Sequence, residues 1–163
     1  MRIVRNVLLV TGALALGGLI AAQTGAFSGT PPTQLGIRDG RLAAPSQTAN
    51  SVSSQARLHA DHPMRELAQI EPLALRGDPD ATLARIATAA SEIDGGRLIE
   101  RRPDYLRFEF TTRWMHFVDD AEFWFDPSAR VVQVRSASRL GRKDFDMNRQ
   151  RIEAIRARLN TAP

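Results

Sequence analysis

The chain contains no cysteine. That excludes a disulfide framework, a thiolate metal site, a cysteine nucleophile and a lipid-modified cysteine at a signal-peptide junction. Lysine is nearly absent too: Lys143 is the one Lys among 22 basic residues, a skew that reflects codon composition more than chemistry. Of the three histidines, His59 and His62 flank Ala60-Asp61. The grouping has the look of a metal cluster, but Pro63 follows and no helical pattern fixes its geometry, so it reads as ordinary loop with no metal. His116 falls in a turn with no nucleophile or basic partner beside it. Ser51, Ser53 and Ser54 lack the strand-turn-helix context of a serine nucleophile elbow and read as residues that bond the backbone. Charge is missing altogether from Asn6 to Ile37.

That uncharged run follows Arg2 and Arg5 and is most apolar from Val7 to Ala22. Its length lies between the roughly 7 to 15 residues of a cleaved signal core and the roughly 17 to 25 of a membrane span, and Gly12, Gly17 and Gly18 weaken it. Cleavage after Ala22 or Ala26 is one expectation; a retained anchor is the favoured one. Either way the basic flank stays in the cytoplasm by the positive-inside rule. The domain is therefore expected in the cell envelope, on the extracytoplasmic (periplasmic) side. No adjacent arginine pair suggests twin-arginine export.

The formal net charge of +4 is a weak hint of nucleic-acid binding until it is divided along the chain. Residues 38 to 129 hold 11 Arg against 15 acids, whereas residues 130 to 163 hold 9 Arg plus Lys against 3 acids. The basic excess is thus confined to the last part of the chain, where it would face water, an anionic lipid or an envelope protein partner. No nucleic-acid partner is expected.

After the apolar segment (1–26), residues 27–63 are rich in Gly, Ser, Thr, Pro, Asn and Gln and read as a linker and irregular lead-in, part of it lying over the domain. Residues 64–163 carry the periodic patterns. Gln69 to Leu75 reads as a short edge strand limited by Pro72. Asp78-Pro79 opens a helix carrying Leu83, Ile86, Ala87, Ala90 and Ile93, which Gly95-Gly96 closes. Arg97 to Arg101 and Tyr105 to Arg113 flank Pro103-Asp104 as a hairpin; Leu106, Phe108 and Phe110 alternate there with polar residues, the pattern of a sheet with one buried and one wet face. Asp119 to Asp126 and Arg130 to Ser136 form a second hairpin. Apolar matching across it sets Asp126 against Val131, Phe125 against Val132, Phe123 against Val134 and Glu122 against Arg135. A last helix runs from about Asp144 to Leu159 on a stripe of Ile152, Ile155 and Leu159. The sum is an α+β domain: an antiparallel sheet of four to five strands flanked by two helices, two layers in all.

The richest polar stretch is Arg135 to Lys143, where hydroxyls and guanidinium groups run through Gly141 into a helix N-terminus. Two uses are open. The arginines satisfy the acids Asp119, Asp120 and Glu122, with Arg139 joined to Asp120; or Arg135, Ser136, Ser138, Arg139 and Arg149 hold an anionic ligand. Asn148 lies four residues before Ile152, on the apolar stripe, and needs a partner from the Ser136 to Ser138 segment.

Several of these stretches resemble the family known as domain of unknown function 1499. The matching motifs are Gly29-Thr30-Pro31-Pro32 with Leu35-Gly36; Asn50-Ser51-Val52-Ser53-Ser54; Phe117-Val118-Asp119-Asp120-Ala121-Glu122-Phe123; and Arg135-Ser136-Ala137-Ser138-Arg139-Leu140-Gly141 followed by Asn148-Arg149. The resemblance spans residues 27–160 and implies the fold and an exported location, with no activity attached. Members typically carry two cysteines in the lead-in, at the places of Pro45 and Ser51; their joint absence suits a dispensable disulfide better than thiol chemistry.

The function expected is a membrane-tethered envelope module that binds or assembles and has neither catalytic residues nor a cofactor. The competing expectation is a hydrolase with Asp119, Asp120 or Glu122 as general acid or base and Arg135 and Arg139 as electrostatic stabilisers.

Overall fold

A computed structural model describes residues 2–161 of the chain. Helix α1 (Arg2–Gln23) is apolar and exposed almost throughout, with mean hydropathy 1.9 over its most apolar 18 residues. Its 22 residues extend ~33 Å at 1.5 Å each, enough for a hydrocarbon core of about 30 Å.

Six strands make one antiparallel sheet: β1 (Ser51–Ser53), β2 (Leu73–Ala74), β3 (Gly96–Arg102), β4 (Tyr105–Thr111), β5 (Val118–Asp126) and β6 (Val131–Ser138). The spatial order is β1-β6-β5-β4-β3, with β2 also paired to β6. The hairpin register matches the expectation: Asp126 stands opposite Val131, Phe125 opposite Val132, Phe123 opposite Val134 and Glu122 opposite Arg135. The edge strand expected over Gln69 to Leu75 shrinks to two residues. Strand β1 lies inside the stretch read as irregular lead-in, because Ser-Val-Ser-Ser is too short to show a period.

Helix α3 (Pro79–Ser91) begins as its sequence dictates, with the Asp78 carboxylate accepting from Ala81 N at 2.7 Å and Pro79 in the first turn. It ends at Ser91, four residues before the expected Gly95, with Glu92 as its C-cap; Gly95, whose φ of +75° only glycine adopts without strain, turns the chain into β3. Helix α4 (Met147–Thr161) starts three residues later than expected, since Phe145 and Asp146 take positive φ. Two short turns, a 3-10 turn at Ala56–Leu58 and α2 (Arg65–Ala68), complete the described helices. Leu83 and Ile86 of α3 and Ile152, Ile155 and Leu159 of α4 pack on Leu106, Phe108, Phe110, Phe123, Val132 and Val134 of the sheet. Each such side chain contributes about 1.5–3 kcal/mol on burial, so this face supplies the apolar core.

The opposite face differs from the expectation of a wet surface. By alternation it carries Tyr105, Arg107, Glu109, Asp120, Glu122, Trp124, Gln133 and Arg135, and most of these are buried. The cover is the lead-in itself, with Ile37 and Leu42 packed on Tyr105 and Trp124. Irregular chain can lie on a polar face because its own amides and carbonyls need partners, which charged side chains supply.

Candidate functional site

Rungs of the sheet place the charged groups in rows. Arg107, Glu122 and Arg135 stand side by side across β4, β5 and β6, and Glu109 neighbours Asp120 one rung away. Glu122 is fully buried. One of its oxygens accepts from Gly36 N at 2.6 Å and from the Tyr105 hydroxyl at 2.8 Å; the other faces the Arg135 guanidinium at 3.5 Å. Burial pushes this carboxyl above its usual range, against the pull of Arg135, the Gly36 amide and Tyr105. Tyr105 is driven upward as well, by burial and by the adjacent Glu122, and so stays a neutral donor. Arg135 also donates from Nε to the Ala44 carbonyl at 3.1 Å.

These bonds pin the strap that covers the face. Gln55 adds a further tie by accepting from Leu42 N at 2.8 Å, and the Ser51 hydroxyl accepts from Ser46 N at 2.8 Å. Between the ties the strap folds back at Asp39-Gly40, both at positive φ, with Arg38 and Arg41 exchanging backbone hydrogen bonds. That is the geometry an Asp-Gly pair favours.

Next along the face, Arg139 forks onto Asp120 through Nε (2.7 Å) and one terminal nitrogen (2.9 Å), and reaches Glu109 at 2.5 Å. The carboxylates raise the Arg139 pKa further, although burial opposes them. Burial would raise Glu109, but hydrogen bonds from Arg139 and Arg97 outweigh it and hold Glu109 below its usual range. Arg107 closes the group, 3.5 Å from Asp120.

Asp119 belongs to a second network, on the helix side of the sheet. It accepts from Arg151 at 2.7 Å, and the Arg151 guanidinium lies 4.4 Å from the centre of the Phe110 ring. The same guanidinium donates to Asn148 Oδ1 at 2.8 Å, which also accepts from the Ser136 hydroxyl. Asn148 Nδ2 in turn donates to Asn50 O and Ser138 Oγ, each at 3.2 Å, and to Asp144 at 2.8 Å. The partner expected for Asn148 is therefore Ser136 and Ser138.

The structure thus divides the candidate residues. Asp120, Glu122, Arg135 and Arg139 meet under the strap; Asp119, Ser136, Ser138 and Asn148 meet under α4. Arg149 joins neither group, donating instead to the carbonyls of Leu67 and Gln69. Sequence reasoning missed Tyr105, Gly36, Glu109 and Asn50, which join the networks through long-range pairing. It also missed Arg151, whose place three residues after Asn148 puts it on the same buried stripe and could have revealed it.

One further expectation changes. The basic excess of residues 130–163 is largely consumed inside the fold: Arg135 and Arg151 are buried, and Arg149 and Arg156 bond backbone carbonyls. At the His59-Ala60-Asp61-His62 stretch, His62 uses Nδ1 to accept from Met64 N, while His59 Nε2 is buried without a hydrogen-bond partner among the described residues. Among the described residues no group of three His, Asp or Glu stands in metal-binding reach.

What the arrangement does chemically is join segments distant in sequence. Among the described residues, the carboxylates of Asp119, Asp120 and Glu122 are all held by protein partners. A family model described as a protein of unknown function (DUF1499) matches residues 41–159, most of the chain. No curated protein matches it.

Proposed function

We propose that this chain, which belongs to the DUF1499 family, is a membrane-tethered, non-enzymatic module of the cell envelope, whose motif residues build the domain and whose outer surfaces meet its partner. The observation that carries this reading is the burial of Glu122 and Asp120, both 0 % exposed, Glu122 beneath a strap bonded to it and to its arginine and Asp120 against Arg139. A general acid or base has to reach a substrate proton within about 3 Å or through one water. Here the Glu122 oxygens are held by Gly36, Tyr105 and Arg135 instead. The hydrolase reading draws on the raised Glu122 carboxyl alone, and burial accounts for that shift.

The tether is supported by α1, which is exposed along its length and carries no charge after Arg5. A cysteine-free chain makes orientation simple to test. Ser128→Cys, in the exposed β5–β6 turn, provides a single thiol in full-length protein expressed in cells. Labelling of intact cells, with the outer membrane permeabilised, by a membrane-impermeant maleimide is the expected result, with the protein recovered in the membrane fraction. Labelling only after lysis would reject the outward orientation, and a shortened soluble product would reject retention.

A further inference from the structure

One end of the sheet carries an unusual concentration of exposed apolar side chains. The β4–β5 loop (residues 112–117), closed on itself by Thr112 N donating to Phe117 O, and the β6–α4 loop (residues 139–146) meet there, where Arg139 N donates to Val118 O. Trp114 is 66 % exposed and Phe145 86 %. Phe117, Leu140 and Met147 are exposed beside them, and Leu67 borders the same pocket as Phe145. Outside α1 this leaves only Leu58 and Leu98 among the exposed large hydrophobics of the described residues. Both loops hold bulky residues at positive φ, His116 at 52° and Phe145 at 53°. Such residues seldom adopt that region, and at Phe145 it accompanies a ring presented outward.

The chain leaving α1 arrives at this same end. Phe27 packs on Phe117 with ring centroids 5.4 Å apart. Gly29, at φ +65°, runs so close to the β6–α4 loop that an added Cβ would stand 2.8 Å from Arg139 Cβ and 3.0 Å from Leu140 Cγ. Three residues lie between Gln23, the last of α1, and Phe27, four steps of chain that reach at most ~14 Å.

We propose that this end of the domain is a lipid-binding face: Trp114 and Phe145, with Leu140 and Met147, seat in the headgroup region of the membrane that α1 enters. The inference rests on the membrane tether above and adds an orientation and a contact surface to it. Amphipathic and aromatic side chains favour the boundary between headgroups and hydrocarbon. Arg113, Arg142 and Lys143 stand at the same end without a carboxylate partner among the described residues. Asp144 spends its carboxylate on the start of α4, accepting from Asn148 N and Nδ2. Asp94 and Asp146 remain to offset the three cations, so apolar contact carries the docking and anionic lipid adds little.

The protein's two tryptophans make the test direct, because Trp124 is buried in the domain and Trp114 is exposed. Full-length protein is reconstituted into phosphatidylcholine vesicles whose acyl chains are plain or brominated near the headgroup, and tryptophan emission is compared after flotation. Brominated lipid is expected to quench the wild type, and Trp114→Phe to abolish that loss while leaving the Trp124 emission intact. Phe145→Trp added to Trp114→Phe should restore quenching. Protein that floats with the vesicles but is not quenched would overturn the lipid face and leave the tether standing. Failure of Phe145→Trp to restore quenching would remove the β6–α4 loop from the face and overturn the two-loop surface. Protein that does not float would overturn the tether and the face together.

Discussion

At the residue scale the weight falls on Glu122 and Arg135, which face each other across β5 and β6 with little access to water. An exposed cross-strand ion pair is worth about 0.2–1 kcal/mol, whereas removing one member of a buried, hydrogen-bonded pair costs roughly 3–5 kcal/mol. Burial puts this pair in the second class, so Arg135→Ala is expected to cost several times the surface value in chemical denaturation. A double-mutant cycle with Glu122→Gln should show clear coupling; additive losses would place both groups in solvent. The pH dependence has two signs. Glu122 has a folded pKa above its ordinary 4.5, so the folded state holds its proton longer and stability falls as pH rises through the window above 4.5. Glu122→Gln lacks that titration, and its melting temperature relative to wild type should climb across the window. Glu109 is shifted downward, so its contribution is present above 4.5 and is lost as pH falls below. The deficit of Glu109→Gln should therefore shrink in acid. Parallel melting curves for the two variants across pH 3 to 8 would contradict both assignments.

At the element scale, the register of the hairpin between β5 and β6 was legible because its two strands each carry apolar residues at period two, and a slip of one residue would mix charges into the core; the last two residues of β6, Ala137 and Ser138, were read as loop. The start of α3 was legible because Asp-Pro is a cap and a first turn at once. Helix α4 was legible by its stripe but not by its first residue, since nothing in Phe145-Asp146 announces positive φ. Glycines give the elements a sharper test. Gly40, at φ +70°, has nothing within 4 Å of an added Cβ, whereas at Gly95, φ +75°, that atom would lie 2.0 Å from the Thr111 carbonyl oxygen. Both pay the roughly 1–2 kcal/mol of the left-handed region; only Gly95 also forces the α3–β3 turn away from β4. Gly95→Ala is expected to lose clearly more stability than Gly40→Ala in urea, and equal losses would show that the turn can give way.

At the scale of the whole molecule, the family's motifs are separate in sequence and gather in two layers, one on each face of the sheet. The lead-in lies partly over the domain, as its loose apolar residues suggested; what the sequence concealed was that it covers the polar face of the sheet. Alternation in β4 distinguishes apolar from polar positions, yet it cannot tell a polar face in water from one covered by irregular chain. Asp119 and Asp120 were indistinguishable for the same reason, although adjacent residues of a strand point to opposite faces and these two serve different networks. The central claim is that residues 34–46 are a fixed part of the fold, with buried side chains as the partners of three of their amides. Native-state hydrogen exchange reads this directly at the amides of Gly36, Leu42 and Ser46, which donate to Glu122, Gln55 and Ser51. The account predicts protection close to that of the amides of β5 and β6, lost at Gly36 in Glu122→Ala. Exchange of all three at the rate of an open loop would contradict it.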